Sequence, residues 1–351
     1  MSNVDVVELQ PRRYRNAFVE AEPEVRVAPG TIVRVATLDA QGRDGAGCQR
    51  AAAGNPLCGP IHVDGAMPGD ALVVALRELR LQGRAGFSAG AIAPHLLSAS
   101  TPSADGVALV DWVLVGDCDG ARMAPSGGAL ARLALPVEPM LGCLGVAGVA
   151  ESAGSSIRAG PHGGNLDYRG VRAGAVVLLP VTYPGGLVYL GDGHARQGDG
   201  EVAGTGIEVP LEVEMRLDVL KGEGLAAPRG VTATDVFTIG TGRPLDTALR
   251  AALDELVAWL RAAPSSEAEP PRGMEPPHQM EPPLGEEAIA LVVGQALAID
   301  VANAFNPDYA VACRLPRAVL PIGFAAGYAA HLPGAGAARC DGHVAGNDAA
   351  P

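Results

Sequence analysis

Two short glycine-rich stretches carry most of the side chains that could do chemistry. The first, SIRAGPHGGNLDYRG at 156–170, sets His162, Asn165, Asp167 and Arg169 around Gly163 and Gly164. The second, GDGHARQGDGE at 191–201, presents Asp192, His194, Gln197, Asp199 and Glu201 between glycines. Glycine lets a backbone turn sharply and approach a ligand closely. Imidazole with carboxylate is a usual donor set for zinc, whereas carboxylates with carbonyls suit calcium. In hydrolysis of that kind a metal-activated water attacks near neutral pH, a carboxylate takes its proton, and Asn, Arg or backbone N–H groups hold the developing oxyanion. The residue types therefore point to metal-assisted or carboxylate-assisted hydrolysis.

Other chemistries fail on spacing. The acids of 192–201 do not follow a calcium helix-loop-helix, and the sequence holds neither a G-x-x-x-x-G-K-[ST] phosphate loop nor a G-x-S-x-G elbow. A single Asp-Gly pair is an ordinary turn, so the density of two histidines and four acids between 162 and 201 carries the reading. His62 and His95, away from acidic clusters, read as structural. Cys143, in the apolar run LGCLGV, reads as a small hydrophobe rather than a nucleophile. Glu208, Glu212 and Glu214 read as a solvated charge row on one face of a strand.

These loops need a rigid frame, and the apolar periodicity supplies strands. Alternating apolar residues at 30–40 and 60–80, the latter around a Pro-Gly-Asp turn, suit antiparallel strands. Strands are also predicted at 108–116 and 175–181, with Pro184-Gly185-Gly186 turning into 187–190. The alternation from Ile207 to Val219 predicts one long half-buried strand, with Pro210 at an edge or bulge because it has no N–H to donate. Helices come late, at 244–263 and 284–304. The Pro-rich stretch 264–284, with MEPP at 274–277 and 280–283, reads as a flexible insertion containing His278, and 335–351 as a loose tail. The organisation expected is an extension over 1–24, a β-rich core over 25–263, the insertion, and a helix-plus-strand completion over 285–334.

Composition sets the class. The chain has 351 residues, 48% of them hydrophobic but only 4% aromatic, with 47 Gly and 29 Pro, so its core is built from aliphatic residues and many turns. A net charge of −13 argues against nucleic-acid or anionic-membrane partners, which need clustered Lys and Arg. The six cysteines are scattered without a C-x-x-C pair, which indicates reduced thiols. The N-terminus lacks a signal-peptide pattern and no stretch gives about twenty uninterrupted apolar residues, so a cytoplasmic protein is expected.

The runs NPLCGPIHVDGAMPGDALVV at 55–74, GPHGGNLDYRGVRAGAVVLLPV at 160–181 and GDGHARQGDGEVAGTGIEVPLEVEMRLDVLK at 191–221 together resemble the acetamidase/formamidase family. The resemblance spans residues 25–325. It implies a mainly β fold, a jelly-roll-like β-sandwich core with smaller additions. It also implies hydrolysis of short linear amides to acid and ammonia, a bound zinc or calcium, a small neutral amide substrate, and a homo-oligomer, dimer or larger. Carried over residue by residue, it implies Asp39, Asp192, His194 and Asp199 as metal ligands and Glu201 as general base. His162, Asn165 and Asp167 join the catalytic set, the first two orienting the amide, and Gln197, Gly163 and Gly164 bind substrate. Two alternatives stand beside it: a hydrolase of the same fold acting on a carbamate or other amide-like group, and a non-catalytic metal- and ligand-binding β-sandwich. RRYRNAFVEAEPEVRV lacks the family's usual His and Trp ahead of the first strand, and His62 stands where an aromatic usually follows GPI.

Overall fold

A computed structural model describes residues 5–101, 108–116, 121–127, 130, 132–262, 284–321 and 324–333. The insertion up to residue 283, with His278, the 335–351 tail, with His343, and Cys118 and Cys340 lie outside the described residues.

The chain is mainly β. Nine strands form one sheet, in the order Val6–Leu9, Ile32–Ala36, Leu211–Leu220, Ala71–Leu81, Val176–Pro180, Arg229–Val231, Asp235–Gly242, Tyr309–Pro316 and Ala298–Asn303. An eleven-stranded second sheet has Gly163–Asn165, Met140–Val146, Val188–Arg196 and Ile207–Glu208 as neighbours, and Leu57–Val63 also pairs with Val188–Arg196. One buried cluster joins Leu72, Val74, Val177, Val213 and Met215 of the first sheet to Ile61, Leu141, Leu144, Val188 and Leu190 of the second. This is the sandwich expected from the resemblance.

A third layer is added on the outer face of the nine-stranded sheet. Ala71, Val73, Ala75, Val176, Leu178 and Val236 alternate with the sandwich residues and pack under helix α1 (Leu245–Arg261), through Ala252, Leu256, Trp259 and Leu260. Residues 71–76 of this strand are thus covered on both faces, which is why they read as a continuous apolar run, whereas Arg77 and Arg80 beyond them are exposed. Helix α2 (Glu286–Ala296) lies in the same layer through Ile289. The helix predicted over 284–304 ends at Ala296, and Ala298–Asn303 is a strand paired with Tyr309–Pro316. Pairing with a preformed sheet edge overrides the local pattern there.

Turns that looked like hairpins instead carry the chain from one sheet to the other. Leu57–Val63 and Ala71–Leu81 flank the Pro-Gly-Asp turn but belong to different sheets, and so do the strands on either side of Pro184-Gly185-Gly186. The single strand predicted over 207–219 is broken in the same way: Ile207–Glu208 pairs with Val188–Arg196, whereas Leu211–Leu220 lies in the nine-stranded sheet. Pro210 donates no hydrogen bond, so the ladder stops where the chain changes sheets. Glu208 is therefore freed from the face shared by Glu212 and Glu214.

The N-terminal residues expected as an extension contribute the edge strand Val6–Leu9 and Phe18, which is fully buried against Cys143, Ala147 and Tyr189. Among the described residues no helix is long and apolar enough to cross a membrane.

Helix α1 can lie close on the sheet only because residue 240 is glycine: a Cβ there would overlap Ala248 O and Ala252 N. Gly240→Val should therefore destabilise the fold by about 3 kcal/mol, measured by urea unfolding; an unchanged midpoint would show that the helix tolerates displacement.

Candidate metal centre

The Val188–Arg196 strand sits between Met140–Val146 and Ile207–Glu208 and carries Asp192 and His194. The cross-strand register sets His194 opposite Glu208. Asp167 follows the Gly163–Asn165 strand, and Glu201 ends the turn Asp199–Glu201. Asp167, Asp192, His194, Glu201 and Glu208 are all at most 5% exposed. Ligand atoms of Asp167, His194 and Glu201 lie within 4.8 Å of one another, and so do those of Asp192, His194 and Glu208. His194 belongs to both groups.

Hydrogen bonds hold one side of this cluster and leave the other free. Asn306 Nδ2 donates to Asp167 Oδ2 at 2.6 Å, with Asn303 Nδ2 at 3.4 Å. Asn55 Nδ2 donates to Asp192 Oδ2 at 2.8 Å, and the Cys143 thiol lies 3.7 Å from the same oxygen. By contrast Asp167 Oδ1, Glu201 Oε2, Glu208 Oε2 and His194 Nε2 have no hydrogen-bond partner. His194 Nε2 lies 3.0 Å from Glu208 Oε1 and 3.7 Å from Asp192 Oδ1, yet the nearer contact lacks hydrogen-bond geometry. Buried polar atoms left unpaired cost about 1–3 kcal/mol each. Orphaned oxygens around an orphaned imidazole nitrogen are what a divalent cation satisfies, so the residues fit a metal.

The electrostatics agree. Burial, then the neighbouring Asp192 charge, raises the Asp167 carboxyl to about 7. Burial, then Asp167, holds Glu201 well above the usual carboxylate range, and burial raises Glu208 to about 7 against the opposing pull of His194. Burial disfavours charge on His194, but Glu208 and Asp192 outweigh it and keep the imidazole well above its ordinary value. Protons thus stand in for a missing positive charge.

The backbone is shaped for this purpose. Asn55, Asp167, Asp192 and Glu201 adopt φ of 54°, 46°, 56° and 45°, left-handed conformations costing roughly 1–2 kcal/mol each. Residue 142 must be glycine, because a Cβ would lie 2.5 Å from Asp192 Oδ2 and 2.6 Å from Asp167 Oδ1.

Of the residues singled out in the sequence, Asp167, Asp192, His194 and Glu201 converge. Asp39 does not join them: its Oδ1 accepts the backbone N–H groups of Gln41 and Arg43 and closes its own turn. Asp199 points outward into a bidentate pair with Arg169, at 2.6 and 2.9 Å. His162 lies in a separate niche against Phe18, where burial lowers it to about 4 against the opposing pull of Asp308. Gly163 and Gly164 serve strand contact, since a Cβ would strike Leu144 O or Arg158 O. Asn165 Oδ1 accepts from Cys143 Sγ at 2.9 Å and Asn55 Nδ2 at 3.3 Å. Gln197 faces His194 rather than open space. Cys143 is a buried thiol raised well above its ordinary value by burial and by Asp192, which suits a structural donor.

Reading the sequence missed Glu208, Asn55, Asn303 and Asn306. Glu208 alone had a signal: it precedes Pro210, where a shared strand face cannot be assumed. The asparagines come from segments far apart in the chain.

All four acids and His194 fall within residues 119–248, which match the sequence model of the Acetamidase/Formamidase family. That segment is similar to the acetamidase/formamidase family. An acetamidase of Mycolicibacterium smegmatis is 36% identical over 85 residues, 24% of this chain and 20% of that protein. The aligned stretch is thus a fifth of that relative's length. In three dimensions the chain is similar to a predicted acetamidase/formamidase of Thermoanaerobacter tengcongensis, with a TM-score of 0.73, 27% identity, and coverage of 90% of this chain and 97% of that one. An acetamidase of Yersinia enterocolitica gives a TM-score of 0.72 at 25% identity, covering 90% and 93%.

Cations and protons compete for the same atoms here. Zinc affinity should therefore fall below about pH 7, by roughly tenfold per pH unit for each displaced proton. Calorimetric titration at about pH 6 and about pH 8 measures this; equal affinities would exclude the raised carboxyls from the centre.

Proposed function

We propose that this protein hydrolyses the carbon–nitrogen bond of short linear amides, with formamide and acetamide the simplest, to a carboxylic acid and ammonia. The observation that carries the proposal is the convergence of unpartnered carboxylate oxygens on His194 Nε2 inside the segment matching the family. Asp192, His194 and Glu208 would hold a divalent cation, and the nitrogen-plus-carboxylate donor set favours zinc over calcium. Bound there, the cation supplies a Lewis acid that eases deprotonation of water and polarises a carbonyl.

The chain's own groups account for the proton. Burial and the Asp167 charge raise the proton affinity of Glu201, and burial and the Asp192 charge raise that of Asp167, so these two carboxyls hold one proton more readily than none. Glu201, with Oε2 free, takes the proton from the attacking water and returns it to the leaving nitrogen as the C–N bond breaks. Asn165 is oriented for the amide oxygen, because Cys143 and Asn55 both bond its Oδ1 and leave the Nδ2 group to donate. His162 packs beneath Gly164, where a Cβ would lie 3.0 Å from Nε2, and so supports the strand that carries Asn165. An open cleft lined by Tyr168, Arg169, Asp199, Asp300 and Arg314 runs beside both loops. The same proposal includes a cytoplasmic homo-oligomer, for which the exposed Leu109, Val113 and Val115 along one strand offer apolar surface.

Ammonia release from formamide and acetamide, before and after chelation and zinc addition, tests the activity. Glu201→Gln should lower kcat by on the order of 10²–10⁴ with an unchanged circular dichroism spectrum; full turnover in that variant would remove Glu201 from the mechanism.

A further inference from the structure

Gln197 lies just past the Val188–Arg196 strand, 4% exposed, and every polar atom of its side chain already has a partner in the protein. Its Nε2 group donates to Asp167 O at 2.6 Å and to Ala302 O at 3.2 Å. Both partners are carbonyls that can only accept, so the amide can be oriented only one way. Its Oε1 is then turned to His194 Nδ1, at 2.9 Å. A carboxamide oxygen also only accepts, so Nδ1 must carry the hydrogen. In the neutral imidazole the lone pair is thereby assigned to Nε2, the nitrogen that faces Asp192 and Glu208.

We infer that Gln197 is a positioning residue that fixes His194 as the Nδ1–H tautomer and presents Nε2 to the cation. The inference rests on the cation reading given under the proposed function and replaces the expectation that Gln197 touches substrate. It also gives the neighbouring carbonyls a purpose. Ala302 belongs to the edge strand Ala298–Asn303 of the other sheet, next to Asn303, which bonds Asp167. One side chain therefore ties the imidazole to both loops and to the opposite sheet. Partners of a ligating histidine's second nitrogen commonly change metal affinity by roughly 10- to 100-fold.

Two measurements test this. Zinc and cobalt titrations of wild type and Gln197→Leu should show binding weakened roughly 10- to 100-fold in the variant, with an altered cobalt visible spectrum. Imidazole ¹⁵N spectra of the zinc-loaded wild type, with His194 assigned by comparison with His194→Gln, should show a protonated Nδ1 and a coordinated Nε2. The second readout needs no Gln197 variant to fold. Coordination through Nδ1, or equal affinity in Gln197→Leu, overturns the inference while the cation reading stands; a wild type that takes up neither metal removes both.

Discussion

Placing four carboxylates around one imidazole away from water is the constraint that shapes this molecule. Moving even one unpaired carboxylate out of water costs several kcal/mol, and adjacent like charges add to it. Here the strongest influences on Asp167, Glu201 and Glu208, burial apart, are the other members of the same cluster. The arrangement is stable only with protons or a cation among the oxygens. Free oxygens on one side and asparagine-held oxygens on the other divide the cluster into a face for binding and a face for support.

The support comes from unusually distant parts of the chain. Asn55 precedes the Leu57–Val63 strand, Asn165 ends the Gly163–Asn165 strand with Asp167 just beyond it, and Asn303 ends the far edge strand of the other sheet with Asn306 shortly after. The centre therefore bridges two sheets, and its geometry depends on how they pack. That packing in turn depends on the turns at 68–70, 184–186 and 209–210, each of which passes the chain between sheets. Left-handed backbone at Asp167, Asp192 and Glu201 shows that the frame overrides local preference to aim these acids.

Surface and interior acids in the same short loop have opposite roles. Asp199 and Glu201 are two residues apart, yet one pairs with Arg169 in solvent and the other is buried in the cluster. The exposed pair contributes little stability, but it joins the two loops across their outer surface. Gly200, at φ 81°, reverses the chain between them.

Residue types and local spacing by themselves determined a good deal. The aliphatic alternation and abundant turns gave a mainly β fold, and the density of His, Asp and Glu around glycines located the loops and four of the five centre residues. The tertiary structure alone decided which acids are buried together. Asp39 and Asp199 have the same chemistry as Asp167 and Asp192, but a turn closes on one and solvent receives the other. Glu208 looked like part of a solvated row until Pro210 sent the two halves of its strand into different sheets. Gln197 became a partner of His194 only because carbonyls from two sheets orient its amide. Periodicity reports which way a side chain faces along its own strand, whereas a metal centre is set by which strands lie side by side, and that is a property of the assembled sheets.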